Sequence, residues 1–129
     1  MVSCASLSGV NVLVASEERH LRVLYGDVLA GAGASVTSAN SAENALALAA
    51  QLRPDVVIAA LKERRSVGLL FRMRAVAGLS DVPIMAVIAG GEPITVTVKD
   101  GFDDVVEHPS EPGDLLARVI RLVRGGQGQ

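Results

Sequence analysis

Aromatic residues are scarce in this chain, which has no tryptophan, one tyrosine and two phenylalanines among its 129 residues. Sites for single-stranded nucleic acid usually stack the bases on aromatic side chains, so we do not expect such a site here. The core must instead be built from aliphatic side chains, because 50% of all residues are hydrophobic. This length and composition are typical of one globular domain.

Cysteine and long apolar runs are also missing. Cys4 is the single cysteine, so no internal disulfide can form, and no cluster of residues has metal-ligand spacing. We therefore expect neither a metal nor a cofactor. The apolar runs have the length of a strand, well short of the ~20 residues that a membrane span needs. The opening MVSCASLSG is not a signal peptide, which predicts a cytoplasmic protein without membrane contact.

The chain carries little net charge, with a formal value of −2 at pH 7. This balance gives no attraction towards nucleic acid or an anionic membrane, so we expect no nucleic acid to bind. Locally, five cationic residues gather in KERRSVGLLFRMR, residues 62–74. Two interpretations of this cluster stay open: an arginine-rich edge that binds a phosphate-bearing ligand or an acidic partner, or a solvated helix face.

Short apolar runs alternate with helical patterns along the chain. The runs predict strands over residues 11–15, 35–39, 56–60, 83–88 and 104–107. They are apolar on both faces, which is typical of parallel strands that helices cover from both sides. Because crossovers are right-handed, few topologies remain for five such units. We predict an α/β fold, namely a flavodoxin-like, doubly wound five-stranded parallel sheet with strand order 2-1-3-4-5.

Capping residues mark most of the helices. Ser16 is predicted to be the N-cap of the first helix, and Ser41 that of a second helix over residues 42–52. A third helix is predicted over residues 68–77, and Pro112 suits the first turn of the last helix.

One segment, GGEPITVTVKDGF at residues 90–102, does not fit this pattern. A helix is due between the fourth and fifth strands, but Pro93 and the glycines oppose it and ITVTVK alternates as extended chain does. We predict that this fourth helix is short, missing or replaced by extended chain. The alternative is that packing overrides propensity and a helix forms.

Four sequence motifs contain predicted strands. They are VLVASEE at the first strand, RPDVVIAAL at the third, DVPIMAVIA at the fourth, and GFDDVVEHP followed by DLLARV at the last. Together they resemble the receiver domain of response regulators, of the chemotaxis-regulator type. The resemblance covers nearly the whole chain and implies a receiver-like domain over 11–124. We expect a flexible segment over 1–10, and the glycine-rich end RGGQGQ predicts a tail or the start of a linker over 125–129.

An active receiver moves a phosphoryl group from a kinase histidine to its own aspartate. The reaction needs acidic groups that hold Mg²⁺, a carboxylate nucleophile, and a hydroxyl and a lysine that stabilise the phosphoryl oxygens. The resemblance implies a degenerate form of this pocket. Its positions are Ser16 and Glu17 for the acidic pair, Ala60 for the nucleophile, Ile88 for the hydroxyl, and His108 for the lysine, with Pro109 retained.

Ala60 is the decisive difference, because a methyl group has no lone pair that could attack phosphorus. Asp55 is the only aspartate between Gln51 and Asp81, and it precedes Ala60 by about 16 Å of extended strand. A different alignment of this strand therefore does not supply a nucleophile. With Ile88 expected beside Ala60, we predict a dry, apolar pocket and a protein that is not an enzyme.

The function predicted from this pattern is that of an atypical receiver in two-component-type signalling. It would act without phosphorylation, as a protein–protein interaction or dimerisation module. Its partner would be another protein, a covalently linked output domain or a second copy. In receivers the fourth helix, fifth strand and last helix form the usual contact face, and the corresponding residues here are Val96, Val98 and Val105. A decoy that binds a kinase is a variant of the same hypothesis.

Two further hypotheses stay open at this stage. The first is a sensor of a second messenger, a cyclic dinucleotide, held by an arginine-rich edge of Arg64, Arg65, Arg72 and Arg74. The second concerns His108, whose imidazole would either sense pH or contact a ligand, or merely fill the place of the lysine.

Overall fold

The structure is a computed structural model, and it describes residues 7–76, 78–89, 101–108 and 111–128. It does not describe the side chains of residues 63, 64, 89 and 125–128. The strands are β1 (Asn11–Ser16), β2 (Ser35–Ala39), β3 (Val56–Ala60), β4 (Ile84–Ala89) and β5 (Asp104–His108). The helices within these ranges are α1 (Arg19–Gly31), α2 (Ala42–Leu52), α3 (Glu63–Arg74) and α4 (Pro112–Gly128).

The strands form one parallel sheet in the order β2-β1-β3-β4-β5. Helices α1 and α4 pack on one face, and α2 and α3 pack on the other. The predicted doubly wound, flavodoxin-like architecture is confirmed. The prediction of a short or missing helix concerns residues 90–102, of which residues 90–100 lie outside the described residues.

The core has two layers, because successive side chains of each strand point to opposite faces. Val14 and Ile58 pack with α1 and α4, whereas Leu13 and Val57 pack with α2 and α3. Burial of each large aliphatic side chain contributes about 1.5–3 kcal/mol, so Ile58→Ala would cost about 2–5 kcal/mol. This packing holds the strand ends rigidly in place.

The two predicted serine caps have different outcomes. Ser41 is the N-cap of α2, and its Oγ accepts a hydrogen bond from the backbone N–H of Asn44 at 3.0 Å. The prediction for Ser16 is wrong, because β1 continues through Ser16 and α1 begins only at Arg19. Its Oγ instead accepts a hydrogen bond from the N–H of Glu18 at 3.1 Å, within the turn that joins the two elements.

Helix α3 begins at Glu63, five residues before the predicted start at Gly68. The carbonyl of Lys62 already accepts the N–H groups of Arg65 and Ser66. The buried hydroxyl of Ser66 donates to the carbonyl of Leu61 at 3.3 Å. These contacts start the helix directly after β3, and Gly68 lies in its second turn.

The structure describes residues on both sides of 11–124, the range predicted for the domain. Leu7 is fully buried against the α1 side of the sheet, and its N–H donates to the carbonyl of Ala32 at 2.8 Å. Residues 7–10 are therefore part of the domain, and α4 continues to Gly128. None of the helices in the described ranges is both long enough and apolar enough to cross a membrane.

Candidate functional site

The residues that the resemblance singled out come together at the carboxyl edge of the sheet. Ser16 and Ala60 are paired as the last residues of β1 and β3. Ile88 lies one residue before the end of β4, and His108 ends β5 opposite Ala89. Pro109 lies outside the described residues. In a doubly wound sheet, this edge is where ligands and reacting groups are usually found.

Ala60 has a relative accessibility of 9% and belongs to the core layer beneath α1 and α4. Ile88 belongs to the opposite layer, beneath α2 and α3. Because Ala59 pairs with Ala86, the same register places Ala60 beside Val87. The expectation that Ile88 covers Ala60 is therefore wrong, since the two side chains point to opposite faces. The surroundings of Ala60 are apolar all the same.

Asp55, the nearest aspartate in the sequence, lies at the other edge of the sheet. It precedes β3, and its Oδ2 accepts a hydrogen bond from the backbone N–H of Asn11 at 2.8 Å. Asn11 is the first residue of β1. Asp55 thus ties two strand starts together and cannot serve as a nucleophile at the carboxyl edge.

Glu17 is the one carboxylate retained at the acidic pair, and it is half-buried after β1. It forms an ion pair with Arg65, which lies in the first turn of α3. A second guanidinium is close by, because Arg22 Nη1 donates to the carbonyl of Ser16 at 2.7 Å. Protein cations therefore lie at the position where the resemblance places a divalent metal ion.

These residues do not fit Mg²⁺, which prefers several oxygen ligands in an octahedral arrangement. Glu17 is paired with a guanidinium, Ser16 offers only a fully buried hydroxyl, and Ala60 offers no oxygen in its side chain. Within residues 7–76, 78–89, 101–108 and 111–128, no group of three or more His, Cys, Asp or Glu residues could hold a metal ion.

His108 makes a contact that the sequence did not reveal. The hydroxyl of Tyr25 in α1 lies 2.5 Å from Nδ1 of His108. The rings meet edge to face, with centroids 5.6 Å apart and planes at 83°. Burial raises the pKa of Tyr25 to about 12, so the hydroxyl keeps its proton at neutral pH. In its neutral form the imidazole accepts the hydrogen bond from the hydroxyl at Nδ1 and carries its own hydrogen on Nε2.

The four arginines of the proposed ligand edge are not grouped together. Arg74 lies at the far end of α3, where its guanidinium donates to the carbonyls of Ser80 and Val82 at 3.1 and 2.7 Å. Arg65 is paired with Glu17, and the side chain of Arg64 is not described. Among the described residues of that edge, Arg72 alone is exposed and takes part in no ion pair.

A cavity of about 440 Å³ separates the start of α2 from α3. Its polar lining residues are Glu17, Ser41, Glu43, Arg65 and Arg72. Two carboxylates thus accompany the two guanidinium groups, which disfavours a ligand with several negative charges. The cavity gives no support to a cyclic dinucleotide.

The predicted contact face is only partly described. Val105 is half-buried and packs against the core on the α2 and α3 side of the sheet. Val96 and Val98 lie outside the described residues, so the prediction for this face stays a prediction.

Solved structures that share this fold include response regulators and a receiver domain. A protein from Chloroflexus aurantiacus J-10-fl, assigned as a response regulator, is 27% identical with a TM-score of 0.80, over 88% of this chain and 97% of that one. The receiver domain of a histidine kinase from Syntrophus aciditrophicus is 18% identical with a TM-score of 0.83, over 94% and 95%. The chemotaxis response regulator CheY4 of Vibrio cholerae is 22% identical with a TM-score of 0.78, over 88% and 98%.

No protein-family model matches the sequence, and no curated protein matches it. The similarity is therefore one of structure more than of sequence. The chain has the fold of a response-regulator receiver domain.

Proposed function

We propose that this receiver-like domain acts without phosphorylation, as a protein interaction module of two-component-type signalling in the bacterial cytoplasm. The observation that carries the proposal is the methyl group of Ala60 at the end of β3, paired with Ser16 of β1. A receiver uses that strand end for its nucleophile. Phosphoryl transfer depends on positioned oxygens and charges, and Ala60 contributes neither.

The neighbouring polar groups support the proposal because each already has a partner. Glu17 is paired with Arg65, and the imidazole of His108 contacts the hydroxyl of Tyr25. Both contacts join the strand ends to helices. A site for chemistry would leave such groups directed at a substrate, whereas here they hold neighbouring elements together.

A module without chemistry has to transmit its signal by contact. The partner in this proposal is a protein, a covalently linked output domain or a second copy of the chain. Because the carboxyl edge is held by internal pairs, we expect partner binding to be independent of Mg²⁺ and of phosphodonors.

The experiment is to incubate the chain with acetyl phosphate and Mg²⁺ and to measure its intact mass. We expect no phosphoryl adduct on the natural sequence. The matched control is the three-site variant S16D/A60D/H108K, which restores the acidic pair, the nucleophile and the lysine of an active receiver and should gain an adduct. Circular dichroism would verify that both proteins are folded.

A stoichiometric, base-labile adduct on the natural sequence would refute the proposal. Tandem mass spectrometry would then show which carboxylate carries the phosphoryl group. An adduct on Glu17 would be the most damaging, because it would mean that the ion pair with Arg65 opens to admit the phosphodonor.

A further inference from the structure

Phe71 is the most exposed large apolar side chain in the described part of the chain, with a relative accessibility of 63%. Its neighbours Leu70 and Met73 on α3 are fully buried in the core. Phe71 therefore lies on the solvent side of the helix and adds nothing to the core. In a protein with so few aromatic residues, this exposure needs an explanation.

Other small or apolar residues lie next to Phe71 on the surface of α3. Val67 and Ala75 lie four residues before and after Phe71, at the spacing that puts side chains next to each other on a helix. Gly68 lies three residues before it, and nothing lies within 4 Å of the place where its Cβ would be. We call this surface the Phe71 face, and it consists of Val67, Gly68, Phe71, Arg72 and Ala75.

Arg72 is the charged residue of the Phe71 face. Segment 62–74 contains five of the twelve lysines and arginines, and Glu63 is its single acid. Of those cations, Lys62, Arg65 and Arg72 are exposed, and Arg65 is paired with Glu17. No ion pair of Arg72 is found within the part of the chain that the structure describes. Arg72 is therefore the cation that this face offers to a partner.

The cavity between α2 and α3 continues the Phe71 face. Gly68 and Arg72 belong to both, and Leu69 adds an apolar wall to the cavity. A volume of about 440 Å³ is enough for an inserted side chain. The surface thus combines a protruding ring, an adjacent recess and an exposed guanidinium, and aromatic and arginine residues are enriched among those that dominate binding energy.

We propose that the Phe71 face is a docking site for a segment of a partner protein in which a carboxylate adjoins an apolar anchor. The inference rests on the proposed function and names the surface and the partner chemistry. The anchor would pack on Phe71 and enter the recess beside Gly68. The carboxylate would pair with Arg72, because charge complementarity selects the partner and its orientation. Since Glu17 and Glu43 line the cavity, only the apolar anchor would enter it, and the carboxylate would stay outside at Arg72.

The test is peptide display against the full 129-residue chain, followed by affinity measurements on the enriched synthetic peptides. We expect the enriched peptides to carry Asp or Glu around Leu, Phe or Trp. Phe71→Ser should weaken their binding by about tenfold or more, as loss of a central aromatic anchor does. Arg72→Glu should weaken it by about tenfold and remove much of its salt dependence.

Leu24→Ser is the matched control, because Leu24 is 44% exposed on α1, on the opposite side of the sheet. It should leave the affinity unchanged. Circular dichroism on each variant would distinguish a loss of binding from a loss of folding. Peptides in which Lys replaces each Asp or Glu give a second control, which uses the natural chain and should not bind.

The inference fails if no peptide is enriched, if the enriched peptides lack acids, or if Phe71→Ser binds them normally. It also fails if Phe71→Ser abolishes a dimer seen by sedimentation, or abolishes binding to vesicles that contain phosphatidylserine. These results would assign the face to a second copy or to a membrane. None of them affects the phosphodonor result, so each proposal can fail independently.

Discussion

Charged side chains make internal contacts at both edges of the sheet, but these contacts are arranged differently at the two edges. At the amino edge, the guanidinium of Arg74 contacts the carbonyls of Ser80 and Val82 and the carboxylate of Asp103. Asp103 in turn accepts the N–H of Ile84 at 2.8 Å. At the carboxyl edge, polar groups are joined in separate pairs. Both edges are therefore held by internal contacts, although a receiver leaves the carboxyl edge open for reaction.

The two edges differ in how many acceptors each arginine contacts. Several acceptors converge on Arg74, whose side chain is 28% exposed. In the pair of Glu17 and Arg65, the side chain of Arg65 is 57% exposed, and neither residue has a second ion pair within the described ranges. We expect the amino edge to carry more of the stability, and this expectation can be tested by a graded series of substitutions.

Arg74→Ala should have the largest effect. It removes hydrogen bonds to three carbonyls and one carboxylate and leaves Asp103 without its cation, which predicts a loss of about 2–3 kcal/mol in the free energy of unfolding. Urea unfolding at neutral pH would measure it. Arg72→Ala is the control on the same helix, with an expected change within about 0.5 kcal/mol. Equal effects of the two substitutions would contradict the importance of the amino edge.

Alkaline pH should lower the stability through Tyr25. Its pKa is raised from 10.0 to about 12 in the folded protein, so between these values the unfolded chain loses a proton that the folded chain keeps. The free energy of unfolding is thus unaffected below pH 10 and falls from pH 10 to about 12, by up to about 2 kcal/mol. Tyr25→Phe should remove this part of the slope.

The readout is direct because Tyr25 is the only tyrosine. Absorbance of the phenolate in the folded protein should rise only near pH 12, whereas in urea it should rise near pH 10. Coincident titrations in the two conditions would show that the hydroxyl is not buried against His108.

At neutral pH, Tyr25→Phe should cost about 1 kcal/mol, the usual net value of one hydrogen bond. The substitution keeps the ring and its edge-to-face contact with His108, so only the hydroxyl is tested. A loss well above this value would indicate that the hydroxyl is part of a larger network, and no loss would indicate that water replaces it.

Arg65→Ala should have the smallest effect, below about 0.5 kcal/mol, because exposed ion pairs contribute little. What remains should shrink as salt is raised. Glu17→Gln should match it, and the double variant should add nothing to either single one. A loss as large as that of Arg74→Ala would remove the distinction between the two edges.

The parts that sequence could predict depend on local patterns. The strand runs, the cap at Ser41 and the meeting of Ser16 and Ala60 follow from periodicity and from the shared end of parallel strands. The face on which Ile88 lies depends on the register of β3 with β4, which no local pattern contains. The contact of Tyr25 with His108 could not be predicted either, because it joins residues 83 positions apart through the packing of α1 on the sheet. In the sequence, its spacing from Leu21 and Leu29 marks Tyr25 only as one more residue on the apolar face of a helix.

The position of Arg65 was missed for a related reason. A helix starting at Gly68 would have left Arg65 in a loop, whereas the actual start at Glu63 places it in the first turn, next to Glu17. An error of five residues in one helix start therefore hid the cation that neutralises the retained carboxylate.

The most direct test of the claim that the carboxyl edge is closed to phosphoryl chemistry is a ¹⁵N–¹H spectrum recorded with Mg²⁺ and trifluoroberyllate, which mimics a phosphoryl group on a carboxylate. We predict that the amide signals of Glu17, Ala60 and His108 stay where they are at matched ionic strength. Saturable shifts of these signals would show that the edge assembles a metal and a phosphoryl mimic, and would contradict a function that depends on contact alone.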